Sequence, residues 1–165
     1  LLMSLLFGSC QRIMVAPNYS FEKEKYVGLW YEIARLDHRF ERNMIGVTAE
    51  YTLQSNGRIG VVNRGYNTKT KQWDEVHAYA KVGKAPNLLK VYFFWGIPGS
   101  YQVAYVNQDY TLALVSGGDL GHLWFLARKP QISQENKFML EEMAKTLGYD
   151  TRKLIYVEQM NVPKR

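Results

Sequence analysis

The sequence predicts an all-β domain: an eight-stranded up-and-down antiparallel barrel with one C-terminal α-helix packed outside it and a final short strand. Three observations carry this. Aromatic residues make up 14% of the 165 residues, led by twelve Tyr, and such side chains suit pleated, half-buried surfaces. Alternating or β-rich runs recur at regular intervals between short turn signals, the spacing of a sandwich or barrel. One amphipathic helix accompanies them and can cover only a patch of sheet, so the inward apolar residues need a closed interior.

The strands follow in order. "WYEIARL" at 30–36 is the first. In "VTAEYTLQ" at 47–54, Val47, Ala49, Tyr51 and Leu53 face one way and Thr48, Glu50, Thr52 and Gln54 the other, the period of a half-buried antiparallel strand. "SNGR" at 55–58 carries the Asn-Gly pair that signals a tight hairpin, leading into "IGVVNRGYN" at 59–67. "WDEVHAYAKV" at 73–82 sets Val76, Ala78, Ala80 and Val82 against Trp73, Glu75, His77, Tyr79 and Lys81. "LLKVYFFW" (88–95), "YQVAYV" (101–106), "YTLALVS" (110–116) and "LWFLAR" (123–128) complete the eight, separated by "KAPN", "GIPGS", "NQD" and "GGDLG". "LLKVYFFW" is apolar on both faces.

Ser133 suits the N-cap of a helix in which Met139, Met143 and Leu147 form one stripe, with Leu140 and Ala144 beside it. Gly148 ends the helix at C′, and "KLIYVEQ" at 153–159 is a last strand. The length suits a single domain. We expect residues 1–9 to be a signal-peptide remnant, 10–22 a tether, 23–160 the folded domain and 161–165 a tail.

Cys10 is the single cysteine, so it makes no internal disulfide. It follows the apolar run "LLMSLLF" and the small residues Gly8 and Ser9, the shape of the end of a secretory signal. The run is too short to span a bilayer as a helix. This stretch resembles the lipobox of bacterial lipoproteins, with Phe7 standing where Leu is usual. The resemblance implies a diacylglyceryl thioether on Cys10 and an acylated amino group, such as a palmitoyl chain. Two or more acyl chains hold a protein stably on a membrane, at about 0.8 kcal/mol per buried methylene. Gln11, where an Asp would signal otherwise, implies the outer membrane of a Gram-negative bacterium, at its periplasmic face.

The domain itself resembles the lipocalins, specifically the bacterial outer-membrane lipoprotein lipocalins. The residues that carry this are Gly28 and Trp30 in "YVGLWYEIARLDHRFER", Asp109-Tyr110 before a strand, and Arg128 in "LWFLARKP". The resemblance covers roughly residues 20–160. The resemblance implies that these residues close the floor of a barrel. Gly28 permits a tight turn, Trp30 plugs the end, and Arg128 lies across its face. Asp109 and Tyr110 occupy a turn at the same end, where a side chain satisfies backbone donors.

The resemblance further implies an amphipathic ligand, a fatty acid or a lysophospholipid. About fifteen methylenes offer roughly 12 kcal/mol of transfer. Subtracting about 4 for lost rigid-body freedom leaves about micromolar affinity. Strand parity nominates Val47, Ala49, Tyr51, Tyr79, Tyr92, Phe94 and Tyr105 for the interior, although a helix-covered wall is apolar on both faces. Arg39 and Arg42 in the first long loop are candidates for an anionic head group, or a solvated surface pair.

Other function classes find less support. Asp37, His38 and Glu41 lie close together, but no nucleophile motif or Gly-rich phosphate loop accompanies them, so no enzyme is expected. His38, His77 and His122 are spaced too widely for a metal motif, and no cofactor is expected. Haem remains a same-fold rival resting on His77. The net charge of +6 is scattered and lacks a nucleic-acid motif; with an anchor it suits anionic lipid. Sequence leaves open a barrel filled by its own side chains, which would make the protein a passive envelope component. It also leaves open a homodimer formed through aromatic-rich faces.

Overall fold

Alternation along the chain becomes a closed antiparallel sheet in the computed structural model, which describes residues 21–93 and 98–165. The strands are β1 Gly28–Leu36, β2 Met44–Leu53, β3 Ile59–Asn67, β4 Gln72–Val82, β5 Leu88–Phe93, β6 Pro98–Val106, β7 Leu112–Ser116, β8 Leu123–Ala127 and β9 Leu154–Tyr156. From β1 to β8 each pairs with its successor, and β8 returns to β1. The predicted eight-stranded barrel is therefore the observed one. Closure leaves no free edge along the ring.

β1 divides its partners. Its first half pairs with β2, from Gly28↔Tyr51 to Tyr31↔Thr48, and its second half pairs with β9. The chain beyond β9 then bridges the parting strands. Gln159 donates to the carbonyls of Glu32 and Val47, and Gly46 N–H donates to the Glu158 carbonyl at 2.7 Å.

Two apolar layers explain why several strands lack a polar face. In β7, Ala113 and Val115 join the interior cluster, while Leu112 and Leu114 join an outer one. The outer layer packs beneath α2, Gln134–Thr146, whose Leu140 and Ala144 are fully buried. Burying a side chain such as Leu140 contributes about 1.5–3 kcal/mol. Ser133 Oγ accepts from Asn136 N–H at 3.1 Å, and Gly148 follows at φ 93°, so both predicted caps are in place. Just beyond, the Tyr149 hydroxyl meets Ser116 Oγ at 2.6 Å and donates to the Asp119 carbonyl, fastening the helix to the β7–β8 loop.

The floor is built as the signature residues imply. A four-residue helix, α1 Lys23–Tyr26, precedes Trp30, whose Nε1 donates to the Tyr26 carbonyl at 2.7 Å. Gly28 has φ 102°, and a Cβ there would stand 3.2 Å from Arg128 Nη1. Phe21, read from sequence as tether, is buried against Tyr26 and Tyr110, so the packed domain takes in residue 21.

Element ends differ from expectation where turns intrude. The strand expected at 110 begins at Leu112, because Tyr110 adopts φ 55° in the preceding turn. Asn107, not Asp109, satisfies the backbone there, accepting from Thr111 and Leu112 N–H; Asp109 accepts from the Thr111 hydroxyl. Arg128 falls just past β8, and the last strand spans 154–156 rather than 153–159.

Candidate functional site

Inward side chains of the barrel leave a cavity of about 380 Å³ open at the end opposite Trp30. Its walls are mostly apolar: Val47, Ala49 and Tyr51 from β2, Val61 from β3, Val76 from β4, and Val91 and Phe93 from β5. Trp124 and Leu126 complete the side formed by β8. A volume of this size suits one small ligand.

Tyrosines form the deep end. The Tyr101 hydroxyl lies 2.7 Å from that of Tyr26 and 2.9 Å from that of Tyr51. Burial pushes the phenols of Tyr51 and Tyr101 well above their ordinary range. They remain neutral donors and acceptors, a satisfied polar stop beneath an apolar chamber.

The mouth is different in kind. His38, Phe40 and Glu41 come from the β1–β2 loop, and Asp119 and His122 from the β7–β8 loop. A register shift between Glu32 and Ala34 brings Arg35 alongside Glu32, and its Nη1 donates to Glu32 Oε1 at 2.9 Å. Its Nη2 donates to the carbonyls of Glu41 and Met44, so Arg35 holds the loop over the opening. Glu41 Oε2 accepts from Trp124 Nε1 at 3.0 Å and lies 2.6 Å from His38 Nε2.

The two carboxyls diverge electrostatically. Burial, with the Glu41 carboxylate beside it, raises Glu32 well above the ordinary range despite Arg35. Burial also pushes Glu41 upward, but contacts with His38, Trp124 and Arg35 outweigh it and lower the group. Two adjacent carboxyls that share one negative charge behave this way. Negative charge is therefore held more readily on Glu41 than on Glu32.

Sequence parity succeeds in part. Val47, Ala49 and Tyr51 line the cavity. Tyr79 and Tyr92 do not: they stack on the outer wall with ring centres 5.0 Å apart and planes 9° from parallel. Arg58 covers Tyr79 at 4.4 Å and Lys81 flanks Tyr92 at 5.4 Å. Tyr105 also packs outside, in the layer under α2, because a register shift between Val103 and Tyr105 reverses the parity. Phe94 and Cys10 lie outside the described residues.

The arginine expectation also needs correction. Arg42 forms a two-pronged pair with Asp37, and Arg39 lies over the Phe40 ring at 4.7 Å; neither lines the cavity. His77 points outward and pairs with Glu75 at 2.6 Å. His38 and His122, far apart in sequence, come together with ring centres 5.5 Å apart. Among the described residues, no group of three His, Cys, Asp or Glu side chains is arranged to hold a metal.

Sequence reasoning missed Glu32, Tyr101, Trp124, Val61 and Val91 as lining residues. A signal was present for β4 and β5. Tyr79 shares its face with Lys81 and pairs with Tyr92, while Lys81 pairs with Lys90. Lysines on one parity mark the solvent side, so the Ala and Val side chains face inward.

Comparison with known proteins agrees with this geometry. A family profile described as a lipocalin-like domain matches residues 21–159. The chain is 42% identical over 164 residues to the outer membrane lipoprotein Blc of Vibrio cholerae, covering 96% of each. It is also 42% identical over 142 residues to the outer membrane lipoprotein Blc of Escherichia coli K12, covering 85% of this chain and 80% of that one. Among solved structures, insecticyanin from the tobacco hornworm Manduca sexta superposes with a TM-score of 0.69 at 16% identity, over 88% of this chain and 84% of that one.

Proposed function

Because the chain belongs to the lipocalin-like domain family, we propose that its barrel binds, stores or carries one single-chain amphipathic lipid, a fatty acid or lysophospholipid, in the cell envelope. The observation that carries this reading is the cavity of about 380 Å³, apolar along its walls, closed by tyrosines below and polar at its mouth. An acyl chain fits such a gradient: its tail gains by burial while its head stays at the opening.

The open cavity counts against a barrel packed solid with its own side chains. Haem loses its one sequence support, since His77 faces away from the interior. The reading is one of binding, with no chemical step. Attachment through an acylated Cys10 at the periplasmic face of the outer membrane completes the proposal. In its support, the relative from V. cholerae is named an outer membrane lipoprotein. That alignment leaves too few residues uncovered to exclude Cys10.

The test is a titration of delipidated Cys10→Ser protein, which has no acyl anchor. Tryptophan fluorescence is followed as lysophospholipid, fatty acid and haem are added separately, with Trp124 as the reporter in the cavity wall. One-to-one saturation by a single-chain lipid at micromolar concentration or below, with haem weak, supports the reading. Absence of binding by any single-chain lipid overturns it.

A further inference from the structure

A row of cations crosses the outer wall of the barrel over β3–β5, away from the cavity. Lys81 and Lys90 stand directly opposite one another in the β4–β5 ladder. Arg58, one residue before the Ile59↔Ala80 pair, continues the row, and Lys84 follows in the β4–β5 turn. Among the described residues none of these four has an ion-pair partner. Farther toward the mouth on the same wall, Glu50 and Glu75 are answered by Arg64, and Glu75 also by His77, so no carboxylate is left over to serve the row.

Like charges directly opposite in a ladder are destabilising, so the sheet by itself gives no reason for this arrangement. An external anion would remove the cost. Beside the cations lies the Tyr79–Tyr92 stack, its ring planes 9° from parallel. Arg58 lies over the Tyr79 ring at 4.4 Å, and Lys81 flanks both rings at 6.0 and 5.4 Å. Half-buried tyrosines next to exposed lysines match the bilayer interface, where an aromatic body meets acyl carbonyls and a cation meets phosphate.

We propose that the floor-end half of this wall is a docking face for an anionic phospholipid bilayer, which orients the barrel with β3–β5 against the membrane. Charge complementarity selects this occupant. A second copy of the chain would bring the same cations against the row and be repelled. Topology agrees: the β2–β3 and β4–β5 turns lie at the floor, the end at which Phe21 joins the packed domain. Cys10 precedes Phe21 by eleven residues, a reach of at most about 40 Å, so the attachment proposed above brings this end of the barrel near the bilayer. Arg58, Lys81 and Lys90 at about fivefold each give roughly a hundredfold preference, enough to orient a tethered barrel but not to hold a free one through fractionation.

The test is equilibrium sedimentation of delipidated Cys10→Ser protein with vesicles of phosphatidylcholine alone or mixed with phosphatidylglycerol. The parent should partition about tenfold or more strongly to the mixed vesicles at about 0.1 M salt, and lose that preference as salt rises. Arg58→Gln, Lys81→Gln and Lys90→Gln should each weaken the partition about fivefold, and the triple variant should abolish the preference. Relieving like-charge contacts leaves the fold intact, which thermal unfolding checks. Lys69→Gln, Lys71→Gln and Lys164→Gln together remove the same charge from exposed positions away from the row and should change the partition by less than about twofold.

Equal losses in the two triple variants overturn the proposal, because net charge alone would then explain the attraction. A parent with no preference for the mixed vesicles overturns it as well. If the row variant instead changes the oligomeric state and leaves the partition unchanged, a second copy covers the wall and the docking face is refuted. The protein tested lacks the anchor, and the barrel interior is read by titration in solution, so failure of this face is distinguishable from failure of either earlier reading.

Discussion

The Arg128 guanidinium lies 3.9 Å above the Trp30 ring and shares its N–H groups among the carbonyls of Lys25, Tyr26, Val27, Leu29 and Tyr110. One side chain thus ties α1, the start of β1 and the β6–β7 turn across the floor. A planar five-donor fork does this and an ammonium cannot. Arg128→Ala should lower stability by about 3 kcal/mol, or about 6–12 °C in Tm for a chain of this size. Thermal unfolding followed by circular dichroism checks this. Arg128→Lys should recover less than half; full recovery would show that charge alone suffices.

Tyr79 and Tyr92 stack outside the barrel, whereas Val76 faces the cavity. Tyr79→Ala and Tyr92→Ala should therefore change lipid affinity by less than about twofold. Val76→Trp, which fills the chamber, should weaken it about tenfold or more, a loss of about 1.4 kcal/mol. Equal effects in the two sets, measured by fluorescence titration, would mean that lipid binds elsewhere.

Gly46 sits at φ 60° in the irregular start of β2, and a Cβ there would come within 2.7 Å of Val162 Cγ1. The backbone angle disfavours any L side chain, and the crowding would push out the C-terminal segment that bridges β1 and β2. Gly46→Ala should cost about 1–2 kcal/mol, seen as a Tm fall of about 2–8 °C. An unchanged Tm would show that this segment is not seated against β2.

Glu32 carries the clearest pH signature. Its raised carboxyl keeps a proton in the folded protein that the unfolded chain releases, so stability falls as pH rises from the ordinary carboxylate range through Glu32's own. Glutamine has the same shape and does not ionise. Glu32→Gln should therefore gain in Tm relative to the parent on going from about pH 5 to about pH 8. Glu41 is present in both proteins. A difference between the two that is flat or reversed with pH would show that Glu32 is ionised throughout.

Anchoring is tested by fractionation. The protein with Cys10 intact should partition with outer membranes, and Cys10→Ser should move to the soluble periplasmic fraction. Two acyl chains hold a protein on a membrane where the bare polypeptide does not. Retention of Cys10→Ser in the membrane would mean that some other feature attaches the chain.

Sequence legibility varied from element to element for physical reasons. The clean alternation of 47–54 was enough to place β2, and Val47, Ala49 and Tyr51 lie inside as their parity requires. The Asn-Gly pair formed the turn it signals, with Gly57 at φ 78°. Tyr105 failed because one irregular step in β6 exchanges inside for outside. Tyr79 and Tyr92 mislead because their size suits an interior place, while the lysines that share their wall mark it as the outer one.

The sequence by itself determined that a closed barrel forms and which helix covers it, while its resemblance to the lipocalins implied which residues seal the floor. The barrel and the helix follow from period-two patterning and from caps and turns, all properties of local chain geometry. The grouping of Glu32, His38, Glu41 and Trp124 at the mouth was decided by the tertiary structure alone. Glu41 and Trp124 are 83 residues apart and meet because β8 closes on β1 while Arg35 folds the β1–β2 loop across the opening. Strand periodicity carries no record of such a meeting, since it depends on register, on irregular steps and on where a loop is tied down.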